Sequence, residues 1–360
     1  MFRLRPRQVA PAVILATALL TLSACGMTEY PNSTFNPTTD FNTSIDALWD
    51  RLVFWGTIVF VVVEAALVFT IFKFRKRPGS APAKQIHGNA ALEIAWTIVP
   101  AVILALIAIP TVKTIFETQA PAPAGALTVE VTGNQWWWEF KYPEYGITTA
   151  NELYLPVGRP VNFVLQTKDV LHSFWIPQLG GKRDLISNKK NYLWFTAADS
   201  IAGNAWNGFC LEYCGSSHAN MRFRAFTVSA ADFESWAKHQ ASVAVPHRAP
   251  PAPPVTTVAN RRGQRADTTP PAPVEPELGY IFPAEKLPDH VIPKTPVPAS
   301  LTFDDNLLAQ GDATRGQQSF MMAGCIGCHA INGNPMAVSP IGPNLTHFAT
   351  RHTLGGGLFP

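Results

Sequence analysis

The sequence predicts a two-helix transmembrane hairpin, then an all-β Greek-key sandwich, then a short helical module at the C-terminus. Three observations carry this expectation. Two strongly apolar stretches, about Leu48 to Phe72 and Leu92 to Phe116, stand near the front. Short alternating strands separated by Gly and Pro turns fill residues 127–228. A Cys-x-x-Cys-His run follows a proline-rich stretch near the end. The 360 residues allow two or three units. A chain that is 47% hydrophobic and 15% charged, with 32 prolines, fits membrane segments plus a linker better than one compact domain. The net charge of +3 leaves no footprint for a nucleic-acid partner.

Residues 1–25 read as an export signal. Arg3, Arg5 and Arg7 form a basic start, and the apolar run from Ala12 to Leu22 is too short to span a bilayer. It ends in Leu22-Ser23-Ala24-Cys25, which resembles a bacterial lipobox. Cys25 is therefore expected to be lipidated and to become the mature N-terminus. Residues 26–44 are polar and read as a loose tether.

The hairpin is expected over residues 45–120. Each apolar stretch can cross a hydrocarbon core of about 30 Å at about 1.5 Å per residue. The link between them carries Lys73, Arg75, Lys76, Arg77 and Lys84 and no acid. Positive links stay inside, so both ends of the hairpin face outward. Pro100 and Pro110 within the second span are tolerated where neighbouring helices satisfy the freed carbonyls, which points to a larger membrane partner. Glu64 and Glu93 are the acids in or near the spans, and such acids are functional candidates by default.

The exported domain is expected over residues 127–240. Leu127–Thr132, Glu152–Leu155, Val161–Gln166, Leu193–Thr196 and Phe223–Val228 read as strands, about seven in all over the domain. A short helix, Asp232 to Gln240, closes it. Within it, Cys210-Leu-Glu-Tyr-Cys214-Gly-Ser-Ser-His218-Ala-Asn-Met221 puts two thiols, an imidazole and a thioether in one loop. Soft sulfur with imidazole suits copper or zinc. Zinc would want a further Cys or His and has little use for the Met. Two cysteines four apart can instead bridge a pair of coppers, with one imidazole still missing. His172, in His172-Ser173-Phe174-Trp175-Ile176-Pro177, is the candidate to supply it.

These residues resemble subunit II of haem–copper cytochrome c oxidases. The resemblance rests on the two runs above, on Gly180-Gly181-Lys182-Arg183-Asp184, on Gln135-Trp136-Trp137-Trp138 and on the two-span N-terminus. It covers about residues 45–240. It implies a cupredoxin-like domain with a dinuclear copper A centre. Cys210 and Cys214 would bridge the coppers, His172 and His218 would each ligate one, and Met221 and the Glu212 carbonyl would complete them. The Glu212 carboxylate would join a magnesium site shared with subunit I. Trp136 would be the electron entry point, and Glu93 would sit at the mouth of a proton pathway. Subunits I and III, membrane lipid and a cytochrome c or upstream respiratory complex would be the partners. The bacterial inner membrane would be the location, with the copper and haem domains on the outer, periplasmic face. Asn134 stands where a His is common, and Trp137 where a Tyr is usual. On a strand, Trp136 and Trp138 would share a face and Trp137 the other.

Residues 241–300 read as linker. Pro246 to Pro298 holds 14 prolines in 53 residues, a composition that does not bury a core. Residues 301–360 follow as a partial α-helical cytochrome c domain. Cys325-Ile326-Gly327-Cys328-His329 is the haem c attachment signature, with Cys325 and Cys328 bonding the haem and His329 ligating its iron. A short helix is expected over Asp312–Ala323. Ile341-Gly342-Pro343-Asn344-Leu345 resembles the proximal-side loop of c-type cytochromes. Only about 31 residues follow His329, and Met336 is too close to wrap the haem, so the cytochrome domain is expected to be truncated. The leading function is an electron-entry subunit with a fused haem donor. A quinol oxidase subunit without metal and a stand-alone membrane copper carrier are the alternatives. Ten acids balance ten Lys and Arg between Leu127 and Gln240. That neutrality fits a tethered donor, which needs little electrostatic steering.

Overall fold

The structure, a computed structural model, describes residues 32–79, 85, 87–244, 279–292 and 311–359. Cys25, the expected export signal, Lys84 and most of the proline-rich segment lie outside the described residues.

Helix α1 spans Asp40–Lys73 and α2 spans Ala90–Gln119. Both are apolar all round, and their large side chains, such as Phe60, Phe69, Leu104 and Ile109, are exposed. That surface suits lipid or a membrane partner rather than water. Pro100 and Pro110 both sit inside α2. Thr39 caps α1 by accepting from Asn42 N, and Asn89 caps α2 by accepting from Ala91 N and Leu92 N.

The outer ends of both helices are fastened to the β domain. The Thr38 and Thr39 hydroxyls donate to the carbonyls of Gln178 and Leu179, each at 2.6 Å. Asp40 Oδ1 accepts from Thr196 N at 2.8 Å, and Trp194 Nε1 donates to Ala120 O at 2.8 Å. Residues 38–42 are thus docked, where polar composition alone read as a loose tether. Small hydroxyl and amide side chains are as able to bind exposed backbone carbonyls as to stay in water.

Ten strands form two five-stranded sheets: β1 (Leu127–Asn134), β2 (Trp137–Tyr142), β3 (Ile147–Ala150), β4 (Glu152–Pro156), β5 (Pro160–Thr167), β6 (His172–Trp175), β7 (Arg183–Leu185), β8 (Asn191–Thr196), β9 (Asn204–Cys210) and β10 (Arg222–Val228). The first sheet runs β3-β2-β1-β5-β8 and the second β4-β10-β9-β6-β7. The β1/β5 and β4/β10 pairs are parallel and the rest antiparallel. Period-two alternation drives the layers together. Val161, Phe163 and Leu165 of β5 point inward, as do Leu127, Val129 and Val131 of β1. Each fully buried Phe or Leu is worth about 1.5–3 kcal/mol. Phe174 and Phe223 stack at 5.1 Å with planes 12° apart, and Trp138 sets its edge on both.

Helix α3 (Ala230–Ala241), capped by Ser229, buries Phe233 and Trp236 against Tyr142 and Tyr154. Part of the expected linker then returns. In residues 279–292, Phe282 and Val291 are fully buried in the same core. The composition of the whole segment, dominated by proline, hides these two anchors. Helix α4 (Ala313–Met322), capped by Asp312, opens the C-terminal module.

Candidate metal centre

Register brings the metal loop together. Strand β6 pairs with β9 so that Phe174 faces Cys210, and Leu211 N donates to Ser173 O at 2.9 Å. His172, two residues before Phe174, therefore reaches the start of the loop. On the other side Arg222 pairs with Phe209, and Cys210 N donates to Met221 O at 3.1 Å. The loop is pinned at both ends by the same central strand.

The ligand atoms fall into two lobes. Cys210 Sγ lies 3.8 Å from His172 Nδ1 and 3.2 Å from Glu212 O. Cys214 Sγ lies 3.5 Å from His218 Nδ1 and 3.7 Å from Met221 Sδ. The two sulfurs stand 3.8 Å apart. Two sulfurs bound tetrahedrally at about 2.3 Å to one metal would be about 3.8 Å apart, and a sulfur and a nitrogen about 3.6 Å. The donor set therefore fits soft metal, and each lobe can serve one metal while both share the thiolates. Cys210, Cys214, Met221 and His172 are buried, and His218 is half-buried.

Electrostatics prepare the site. Burial pushes the Cys210 thiol up, but hydrogen bonding to His172 and the backbone at Glu212 and Ser173 outweighs it and carries the thiol below its ordinary value. Burial and the charge on Cys210 hold Cys214 above it. Two thiols this close resist losing both protons unless a cation lies between them. Burial disfavours the Asp169 carboxylate, yet hydrogen bonds from His172, Gln135 N and Val170 N hold it below its usual range.

Three supporting residues had no role assigned from the sequence, although Gln135 stands in the run that carries the resemblance. Asp169 stands behind His172. Gly133 touches the His172 ring: a Cβ there would lie 2.7 Å from Cδ2. Gln135 Nε2 donates to Cys214 O at 2.8 Å. Asp169 left a signal in its place three residues before His172, and Gln135 in its place beside Trp136.

Trp136 is in the turn between β1 and β2, not on a strand, so the expected alternation of the three tryptophans does not hold. The β1/β2 pairing ends at Asn134 and Trp137, which leaves Gln135 and Trp136 to cross over the loop. Trp136 is partly exposed and its Nε1 donates to Cys214 O at 3.1 Å. The Glu212 carboxylate makes no hydrogen bond or ion pair among the described residues. Glu93 lies at the opposite end of α2, where its Oε1 accepts from Asn89 N at 3.2 Å and closes the helix cap.

In the C-terminal module, Cys325–Gly327 form a single 3-10 turn and His329 N donates back to Cys325 O. His329 Nδ1 donates to Pro343 O at 2.7 Å, which leaves Nε2 as the free ligand atom. The loop at Ile341–Leu345 thus orients the imidazole, and Gly342 packs so closely on the His329 ring that a Cβ would lie 3.0 Å from its Cε1.

Comparison with known proteins supplies the family. Residues 35–114 match the model for cytochrome c oxidase subunit II, transmembrane domain, and residues 146–228 match that for its periplasmic domain. Residues 313–356 match cytochrome c. Cytochrome c oxidase subunit 2 of Alkalihalophilus pseudofirmus is 30% identical over 322 residues, 86% of this chain and 74% of that protein. The chain belongs to the cytochrome c oxidase subunit 2 family. The Bacillus subtilis subunit 2 is 38% identical over 243 residues, 63% of this chain and 67% of its own length. Quinol oxidase subunit 2 of Bacillus spizizenii is 34% identical over 194 residues, 51% of this chain and 59% of its own. As a member of the oxidase subunit 2 family, the chain is part of a haem–copper oxidase. It joins two helices able to span a membrane to a subunit II periplasmic domain and a cytochrome c module.

Proposed function

We propose that this chain carries electrons from its covalent haem through a dinuclear copper A centre to the oxygen-reducing subunit of the oxidase. The observation that carries this reading is the pair of ligand lobes sharing Cys210 and Cys214. Cys210 and Cys214 would bridge two coppers, with His172 and the Glu212 carbonyl on one, and His218 and Met221 on the other. When bound, the copper pair and the haem each supply a one-electron carrier.

The protein's contribution is rigidity. Strands β6, β9 and β10 fix both ends of the loop, and the Phe174–Phe223–Trp138 cluster fills the space beneath it. Ligands held this way move little when charge changes. Trp136 serves as the entry point, since its exposed indole is hydrogen-bonded to the Cys214 carbonyl. The unengaged Glu212 carboxylate is available for a magnesium ion shared with subunit I. The apolar, proline-interrupted hairpin docks against subunits I and III in the bacterial inner membrane, with the metal and haem modules on the periplasmic side. Glu93 serves a proton pathway only when subunit I completes it; within this chain it caps α2. Cys25 is the lipidation site.

A metal-free quinol oxidase role would leave two thiols, two imidazoles and a thioether converging without a purpose. Oxygen uptake by membranes carrying Cys214→Ser separates the readings. The relay predicts lost turnover while the haem still becomes reduced. Unchanged turnover would overturn it.

A further inference from the structure

The C-terminal module meets the metal domain through a turn that only glycine can make. Gly355, Gly356 and Gly357 all have positive φ, at 59°, 69° and 85°. Hydrogen bonds from Gly357 N and Leu358 N to Leu354 O, at 3.1 and 3.0 Å, close the turn. Gly356 and Gly357 are buried. A Cβ on Gly356 would collide with the Arg222 carbonyl, and one on Gly357 with the Arg224 guanidinium. Side chains are thus excluded twice, by backbone conformation and by space.

Arg224 is the other half of the contact. It is 3% exposed on β10. Its Nη1 donates to Gly356 O at 3.3 Å and its Nη2 to Gly357 O at 2.9 Å. Nη2 and Nε also donate to Val291 O, at 2.8 and 3.2 Å, so one guanidinium holds both the turn and the returning segment 279–292. A buried guanidinium needs such acceptors, and its fork geometry lets it serve several at once. Burial lowers its pKa to about 10, which leaves it charged at neutral pH. Arg222, against which Gly356 packs, directly follows Met221 in the chain.

We infer that Gly355–Gly357 is a docking latch that seats the haem-attachment module on Arg224, beside the metal loop, in one fixed orientation. Being part of the same chain keeps the module near the metal loop, and the latch decides how it lands. The consequence for electron transfer rests on the relay reading; the docking itself does not. In that reading Cys325, Cys328 and His329 would hold a one-electron donor, and Cys210 and Cys214 with their neighbours would hold the one-electron acceptor.

The test uses the full chain in its assembled oxidase, as Gly356→Ala and, separately, Arg224→Gln. Hydrogen exchange is followed at residues 222–226 and 354–359, with haem and copper absorption recorded alongside. Both variants should raise exchange in both segments by about tenfold or more. Both should keep the two absorption spectra, and haem-to-copper transfer should slow by about tenfold while the module stays tethered. Unchanged exchange at residues 222–226 in both variants would overturn the latch. Should Gly356→Ala lose haem absorption, Arg224→Gln, which leaves all three glycines in place, decides by the exchange at residues 354–359. If the copper reading fails, copper absorption is missing from the unaltered protein too, and exchange still reports on docking.

Discussion

The Nε2 of His172 stands 2.8 Å from Oδ1 of Asp169, on the side of the ring opposite the metal loop. The same carboxylate accepts from Gln135 N at 2.7 Å through Oδ2 and from Val170 N at 2.7 Å through Oδ1. One acid therefore fixes the imidazole tautomer and ties it to the turn that carries Trp136. Nδ1 is left to face Cys210, 3.8 Å away.

Asp169→Asn is predicted to weaken copper retention about 10- to 100-fold, the usual cost of losing the partner of a metal-bound histidine. Competition with a chelator on the full chain measures it. Unaltered retention would show that Asp169 does not position the ligand.

Gly133→Ala should displace the ligand from the other side. The new Cβ would sit 2.7 Å from Cδ2 and 3.0 Å from Cγ of a fully buried His172. Overpacking of this kind costs about 1–3 kcal/mol. The expected outcome is a shifted, weakened copper spectrum with haem absorption unaffected. A normal copper spectrum would mean that the ring has room to yield.

The contact between α3 and the C-terminal module should depend on pH. The rings of His239 and His347 lie 4.1 Å apart. Burial pushes both below the ordinary histidine value of 6.5, and for His239 the neighbouring His347 adds to the shift. The Ser242 carbonyl, 3.3 Å from His347 Nε2, and the His239 backbone offset part of the shift on His347. Depressed folded values mean that the neutral forms favour the docked state. The stabilisation is complete above 6.5 and is lost as pH falls from there through the folded values. Exchange at residues 332–347 should thus quicken at about pH 5.5 relative to about pH 7.5, after correction for intrinsic rates. His347→Asn, which tolerates the left-handed backbone at φ 55°, should weaken that dependence to the share that the buried His239 keeps. An undiminished dependence in the variant would assign it to another group.

His329→Ala is expected to abolish haem iron ligation from this side and to spare copper. Pro343 O orients the His329 imidazole through Nδ1, at 2.7 Å. An optical spectrum of the full chain reads both cofactors at once. An unchanged haem spectrum would contradict the assignment of this ligand.

Much of this was legible in the sequence because it is local. Cys210, Cys214, His218 and Met221 declare themselves by spacing, as do Cys325, Cys328 and His329. The apolar spans announce α1 and α2 by length. Strands were harder where pairing partners are distant. β9, with two Asn and a Gly in Asn204–Cys210, has poor strand composition. Gly208 is there because the Phe223 ring occupies the space that a side chain would need. The reach of Asp169 to Gln135 spans 34 residues, and that of Gln135 to Cys214 spans 79. The first needs β1 to pair with β5, and the second exists only once the two sheets close. The segment 279–292 was obscured for a different reason: Phe282 and Val291 are two anchors in a stretch whose average composition resists burial.

The most direct test of the copper pair is metal content together with electron paramagnetic resonance of the full, oxidised chain. The two-lobed geometry predicts two coppers per chain, with the unpaired electron coupled equally to two copper nuclei. One copper per chain with coupling to a single nucleus, or zinc in place of copper, would contradict it.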